Sequence, residues 1–109
     1  MRQALRHAIL MLGLAGLLGA PDLALAAEHF QPTGDDKAAI AGDFVLIDKE
    51  VNAVARALMQ HGIDVTAIHN HGLMDMPRLF YMHFWANDDP VKLAQGLKAA
   101  LDQTNSAKP

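Results

Sequence analysis

The sequence predicts an α+β domain with the order β-α-β-β-α, a three-stranded sheet carrying both helices on one face. Three observations predict it. An apolar run, Phe44-Val45-Leu46-Ile47, is followed by helical spacing at Val51, Val54 and Leu58. Two strand-like segments, 63–71 and 78–86, are joined by a short loop as in an antiparallel hairpin. Asp88-Asp89-Pro90 then opens a second helical stripe with an acidic cap and a proline at the first helical position.

The N-terminus has the pattern of a secretory signal. Arg2, Arg6 and His7 give a basic start, Ala8 to Ala20 form an apolar run, and Ala24-Leu25-Ala26 offers a cleavage site after Ala26. Residues 1–26 are therefore expected to be a signal peptide, with a periplasmic or secreted product. The apolar run is shorter than the roughly 20 residues that span a bilayer, so no stable membrane anchor is expected after cleavage. Cleavage would remove Arg2, Arg6 and Asp22. Of the 9 basic and 12 acidic residues in the whole chain, 7 and 11 would remain, a net charge of −4 with histidine neutral. That charge gives no electrostatic reason to bind nucleic acid. With no cysteine there is no disulfide to reinforce a small exported domain. A metal, a partner chain or dimerisation would each stabilise it.

Residues 27–41 are polar and include Pro32, Gly34 and two aspartates, which predicts a flexible lead-in. The folded domain is expected over 42–104. Its first strand is the run at Phe44. Asp48 is the expected N-cap of the first helix, with Glu50 in the first turn and Gly62 as the stop. The second strand, Ile63 to His71, places Ile63, Val65 and Ala67 on one face and Asp64, Thr66 and Ile68 on the other. Gly72 to Pro77 connects it to an aromatic third strand, Arg78 to Ala86. Leu93, Leu97, Ala100 and Leu101 line the last helix, which Gly96 weakens by up to about 1 kcal/mol. Residues 105–109 are expected to be a frayed tail.

The hairpin holds the chemistry. His69 and His71, two residues apart on a strand, share a face and form a His-x-His half-site for a divalent metal such as zinc or copper. His83, Asp75 and His61 are the candidate third ligands. Met74 and Met76 add soft sulfur near His71. The plain alternative is a polar strand end that hydrogen-bonds the loop.

Strand register decides whether His83 can join. With Phe80, Met82 and Phe84 inward, regular pairing puts Ala67 opposite Met82 and His69 opposite Phe80. His83 then faces away from His69 and His71, and only a bulge or a one-residue slip brings the three together. Tyr81, His83, Trp85 and Ile68 would instead form an aromatic patch on the sheet face without helices. Such a patch suits a second copy of the chain, another partner or a stacking ligand. Asp75, Arg78, Tyr81 and Trp85 are the candidate ligand-binding residues, with an Arg78–Asp75 ion pair as the plainer role for that arginine. A metal-dependent hydrolase would also need a general base, for which Glu50 and Asp75 are the candidates.

The stretch Gly42-Asp43-Phe44-Val45-Leu46, Glu50-Val51-Asn52, His61 through His71, Pro77 through Trp85, and Leu93-Ala94 to Leu101 resembles the bacterial LppY/LpqO lipoprotein family. The resemblance covers 42–104 and is carried most specifically by His-Asn-His and Pro-Arg-x-x-x-Met-His. It implies a domain of no established activity, often present in two copies. Members usually have more residues before the Gly-Asp-Phe-Val-Leu element, and several are lipid-anchored. This chain has no cysteine to acylate, so the resemblance implies a short single-copy version or a fragment of a longer member.

Overall fold

The computed structural model describes residues 27–106. The expected signal segment and its cleavage site lie outside them. The elements run β1 (Ala27–Gly34), β2 (Lys37–Ile47), α1 (Asp48–Gln60), β3 (Asp64–Asn70), β4 (Leu79–Asp88) and α2 (Pro90–Leu101). The fold is α+β, as the pattern predicts, but its sheet has four strands in the order β1-β2-β4-β3, each pair antiparallel.

The added strand corrects the flexible lead-in. Residues 27–34 form β1, and 37–41 begin an 11-residue β2. Between Gly34 and Lys37, Asp35 and Asp36 hold φ of 50° and 59°. Both central residues of a two-residue hairpin loop take positive φ in a type I′ turn, and aspartate tolerates that region. Alternation then buries Ala38 and Ile40, and Phe30, opposite Ile40, packs against the core. Ala38, Ala39, Ala41 and Gly42 around Ile40 carry little strand signal, and Asp-Asp is a weak turn signature.

β2 and β4 form the centre of the sheet, with Phe44 opposite Met82 and Gly42 opposite Phe84. Their inward residues meet Val54 and Leu58 of α1 and Leu93, Leu97 and Ala100 of α2 in one buried cluster. Phe44 and Phe84 pack with ring centroids 5.5 Å apart and tilted by 53°, a geometry that contributes about 0.5–1.5 kcal/mol beyond burial. No polar or charged residue is buried among the described residues. Both helices therefore cover one face of the sheet and leave the other open.

The helix ends follow from backbone accounting. Ile47, not Asp48, is the N-cap of α1, and its N–H donates to Glu50 Oε2 at 3.0 Å. The other oxygen of Glu50 accepts the Asn105 N–H at 2.7 Å, so Asn105 is tied to the domain rather than frayed. At the far end the Gly62 N–H reaches the Met59 carbonyl and the Ile63 N–H reaches Leu58, with Gly62 at φ 71°. This is a Schellman ending, and its apolar pair, Leu58 and Ile63, is fully buried. Asp89 caps α2 by accepting from the N–H groups of Val91 and Lys92, both at 2.9 Å.

Gly96 is more than a weak point in α2. A Cβ there would lie 2.7 Å from His61 Cβ and 2.8 Å from Ile63 Cδ1. The glycine lets α2 approach the end of α1, and the packing gained offsets its poor helix propensity.

Candidate functional site: an imidazole pair on the open sheet face

The site is built by a bulge. Val65 pairs with Phe84, as regular alternation requires, but the next partner of β4, His83, pairs with Ala67. Thr66 is the extra residue. Beyond it the phase of β3 is reversed: Ile68 pairs with Met82 and His69 with Tyr81. Ala67 is thereby moved from the expected core face to the open one. His69 joins Tyr81 and His83 there, which corrects the regular register that opposed His69 to Phe80 and turned His83 away.

One sequence signal marks the bulge. The apolar positions are odd-numbered at Ile63 and Val65 and turn even at Ile68, a change of phase that a regular strand does not produce. Ile68 gains little from its inward position, since on the edge strand it is 47% exposed. The expected place of Ile68 on the open face is thus replaced by His69 and Ala67.

The rings of His69 and His83 meet end to end. Their Nε2 atoms are 2.9 Å apart, with centroids 5.1 Å apart and planes within 23°. His69 Nδ1 lies 3.0 Å from the Asn70 carbonyl. A carbonyl oxygen only accepts, so Nδ1 carries the proton, and in the neutral ring Nε2 is left with its lone pair. His83 Nε2–H then donates to it.

His71 stands apart from this pair. Its ring packs on Tyr81 at 5.3 Å, while His69 packs on the same tyrosine at 5.5 Å. His71 Nδ1 donates to Asp75 Oδ2 at 2.8 Å, which commits that nitrogen to the loop. Gly72 makes room for that contact, because a Cβ at 72 would sit 3.0 Å from Asp75 Oδ1. The convergent pair is therefore His69 with His83, not His69 with His71. Among the described residues, no three His, Asp or Glu side chains gather closely enough to hold a metal ion.

The remaining candidates separate. His61 is the C-cap of α1 and binds the Ala57 carbonyl through Nδ1 at 2.8 Å, which commits it to the helix end. Asp75 pairs with His71, in place of the expected Arg78. Arg78 is exposed in the loop, as are Met74 and Met76, at 91% and 93%. Both carboxylate oxygens of Glu50 accept backbone N–H groups, so Glu50 is a capping residue rather than a general base. Tyr81, His83 and Trp85 lie along the open face of β4 as expected, Trp85 46% exposed. Asp43, opposite His83 in the ladder, shares that face and was not anticipated.

The fold and site define a small α+β domain that carries paired imidazoles on the sheet face its two helices leave open. The family model described as Domain of Unknown Function (DUF1259) matches residues 11–103, and the chain belongs to that family. No curated protein and no solved structure matches the chain. Among the described residues, no helix is long and apolar enough to cross a membrane.

Proposed function

We propose that this protein is an exported binding module whose His69 and His83 hold a divalent metal ion. One observation carries the reading: two imidazole nitrogens face each other 2.9 Å apart on neighbouring strands. Zinc–nitrogen bonds of about 2.0–2.1 Å at a tetrahedral angle separate two ligand nitrogens by roughly 3.3–3.4 Å. An opening of about half an ångström, with each ring tilting so that both lone pairs meet off the line between the nitrogens, would admit the ion. His83 would then carry its proton on Nδ1.

The bond from His69 Nδ1–H to the Asn70 carbonyl supports the same reading. Metal-ligating histidines usually donate their second ring nitrogen to a carbonyl or carboxylate, which fixes the tautomer and orients the ring. Imidazole suits zinc, copper and nickel. The thioethers of Met74 and Met76 stand exposed in the loop and are assigned no ligand role. Export rests on the basic, apolar and small-residue pattern of 1–26. The proposed role is that of a binding domain of the LppY/LpqO type; Glu50 accepts two backbone N–H groups and Asp75 pairs with His71.

Equilibrium dialysis of the purified protein against zinc, copper and nickel tests this. His69→Ala and His83→Ala are each expected to weaken uptake by more than the about 10–100-fold that loss of an outer partner costs. His71→Ala is expected to retain it. Equal uptake by the wild type and a His69→Ala/His83→Ala double variant sinks the proposal.

A further inference from the structure

We infer that the metal site is completed by a second copy of this chain, the two open sheet faces meeting across one shared ion. The inference rests on the metal-binding reading above and adds its partner. A structural zinc site takes four ligands. The chain supplies His69 and His83, and no third His, Asp or Glu converges with them among the described residues. A two-fold axis through the ion brings the same pair from a second copy and completes a four-imidazole site. In such an isologous contact every residue used is used twice.

The surroundings of the pair suit this occupant. The imidazoles stand on a sheet face that neither helix covers. Along β2 that face has low relief, with Ala39 and Ala41 beside Asp43 and Val45. Along β4 it carries Tyr81 and the 46% exposed Trp85, the aromatic types enriched at protein interfaces. Sheets packed face to face stand about 10 Å apart, a gap that imidazoles from both sides span with one ion between them. The helices provide only one layer of core, and a second layer would bury the aromatic face as well.

Sedimentation velocity at micromolar concentration, with zinc or with a chelator, tests the inference alongside zinc stoichiometry. The wild type is expected to be a dimer with one zinc per two chains and a monomer in chelator. His83→Ala is expected to stay monomeric with zinc. Ala41→Arg, which leaves both ligands but raises a charge on the contact face, is expected to bind zinc more weakly and to stay monomeric. A wild-type monomer holding one zinc per chain overturns the shared site and leaves the metal-binding reading standing. Absence of zinc uptake overturns both. A dimer that persists in chelator, or that Ala41→Arg leaves intact, also overturns the inference.

Discussion

The two faces of the central strands obey different rules. On the helix side, Phe44, Leu46, Met82 and Phe84 are fully or almost fully buried, and nothing polar is enclosed among the described residues. On the open side of the same β4 stand Tyr81, His83 and Trp85, with His69 and Asp43 as ladder neighbours. The helix side is specified by burial, since each large apolar side chain there contributes about 1.5–3 kcal/mol. The open side gains little from burial, so its unusual concentration of rings calls for another explanation. The bulge at Thr66 links the two. It lets Val65 keep its place toward the core while His69 takes the open face.

The largest effects should come from the covered face. Phe84→Ala is expected to cost about 3–5 kcal/mol in denaturant unfolding, through lost transfer energy and a cavity. Trp85→Ala, one residue along and on the other face, is expected to cost far less when measured in chelator. A loss at Trp85 as large as that at Phe84 would mean that the open face is already covered, and the contrast would fail.

Next comes the close approach that allows the helices to cover one face together. Gly96→Val forces a Cβ to 2.7 Å from His61 Cβ, an atom held near the backbone. The expected loss is about 1–3 kcal/mol, despite valine's better helix propensity. Unchanged stability would show that α2 can shift without cost.

Deletion of Thr66 tests the bulge. It should regularise β3 and leave His69 opposite Tyr81, so zinc affinity should equal that of the wild type. Were β3 a regular strand in the native protein, the wild type would keep the histidines apart and only the deletion would bind. A gain of zinc binding on deletion therefore breaks the comparison.

The smallest effect lies at the start of α2. The Lys92 ammonium, hydrogen-bonded to Asp88, and the Asp89 N–H hold the Asp88 carboxyl below its ordinary value of 3.8. A depressed carboxyl contributes stability that is present above its unfolded pKa and is lost as pH falls through the folded one. Lys92→Ala should raise the Asp88 midpoint toward 3.8 in an NMR titration, with zinc binding at pH 7 unchanged. No upward movement would show that the ion pair is not what holds the carboxyl down.

Most of the covered face was legible in the sequence. The helical spacing of Val54 and Leu58, the stripe of Leu93 and Leu97, and the Asp89-Pro90 start each state a local rule that tertiary packing leaves intact. The β1–β2 hairpin was not legible, because alanines and glycine in 38–42 are poor strand signals even when Ala38 and Ile40 are buried. The members of the site were visible as residue types, but their pairing was not. Alternation is a local rule, and one extra residue at Thr66 exchanges His71 for His83 as the partner of His69. Glu50 is legible only in part for the same reason: its bond from the Ile47 N–H is local, but the Asn105 N–H that occupies its second oxygen lies far away in the sequence.

On the proposed reading, His69 and His83, rather than His69 and His71, form the metal-binding pair. Imidazole nitrogen NMR during a zinc titration tests it most directly. The Nε2 resonances of His69 and His83 are expected to move together to saturation while His71, held by Asp75, keeps its position. Movement of His71 with His69 while His83 stays unperturbed would contradict it.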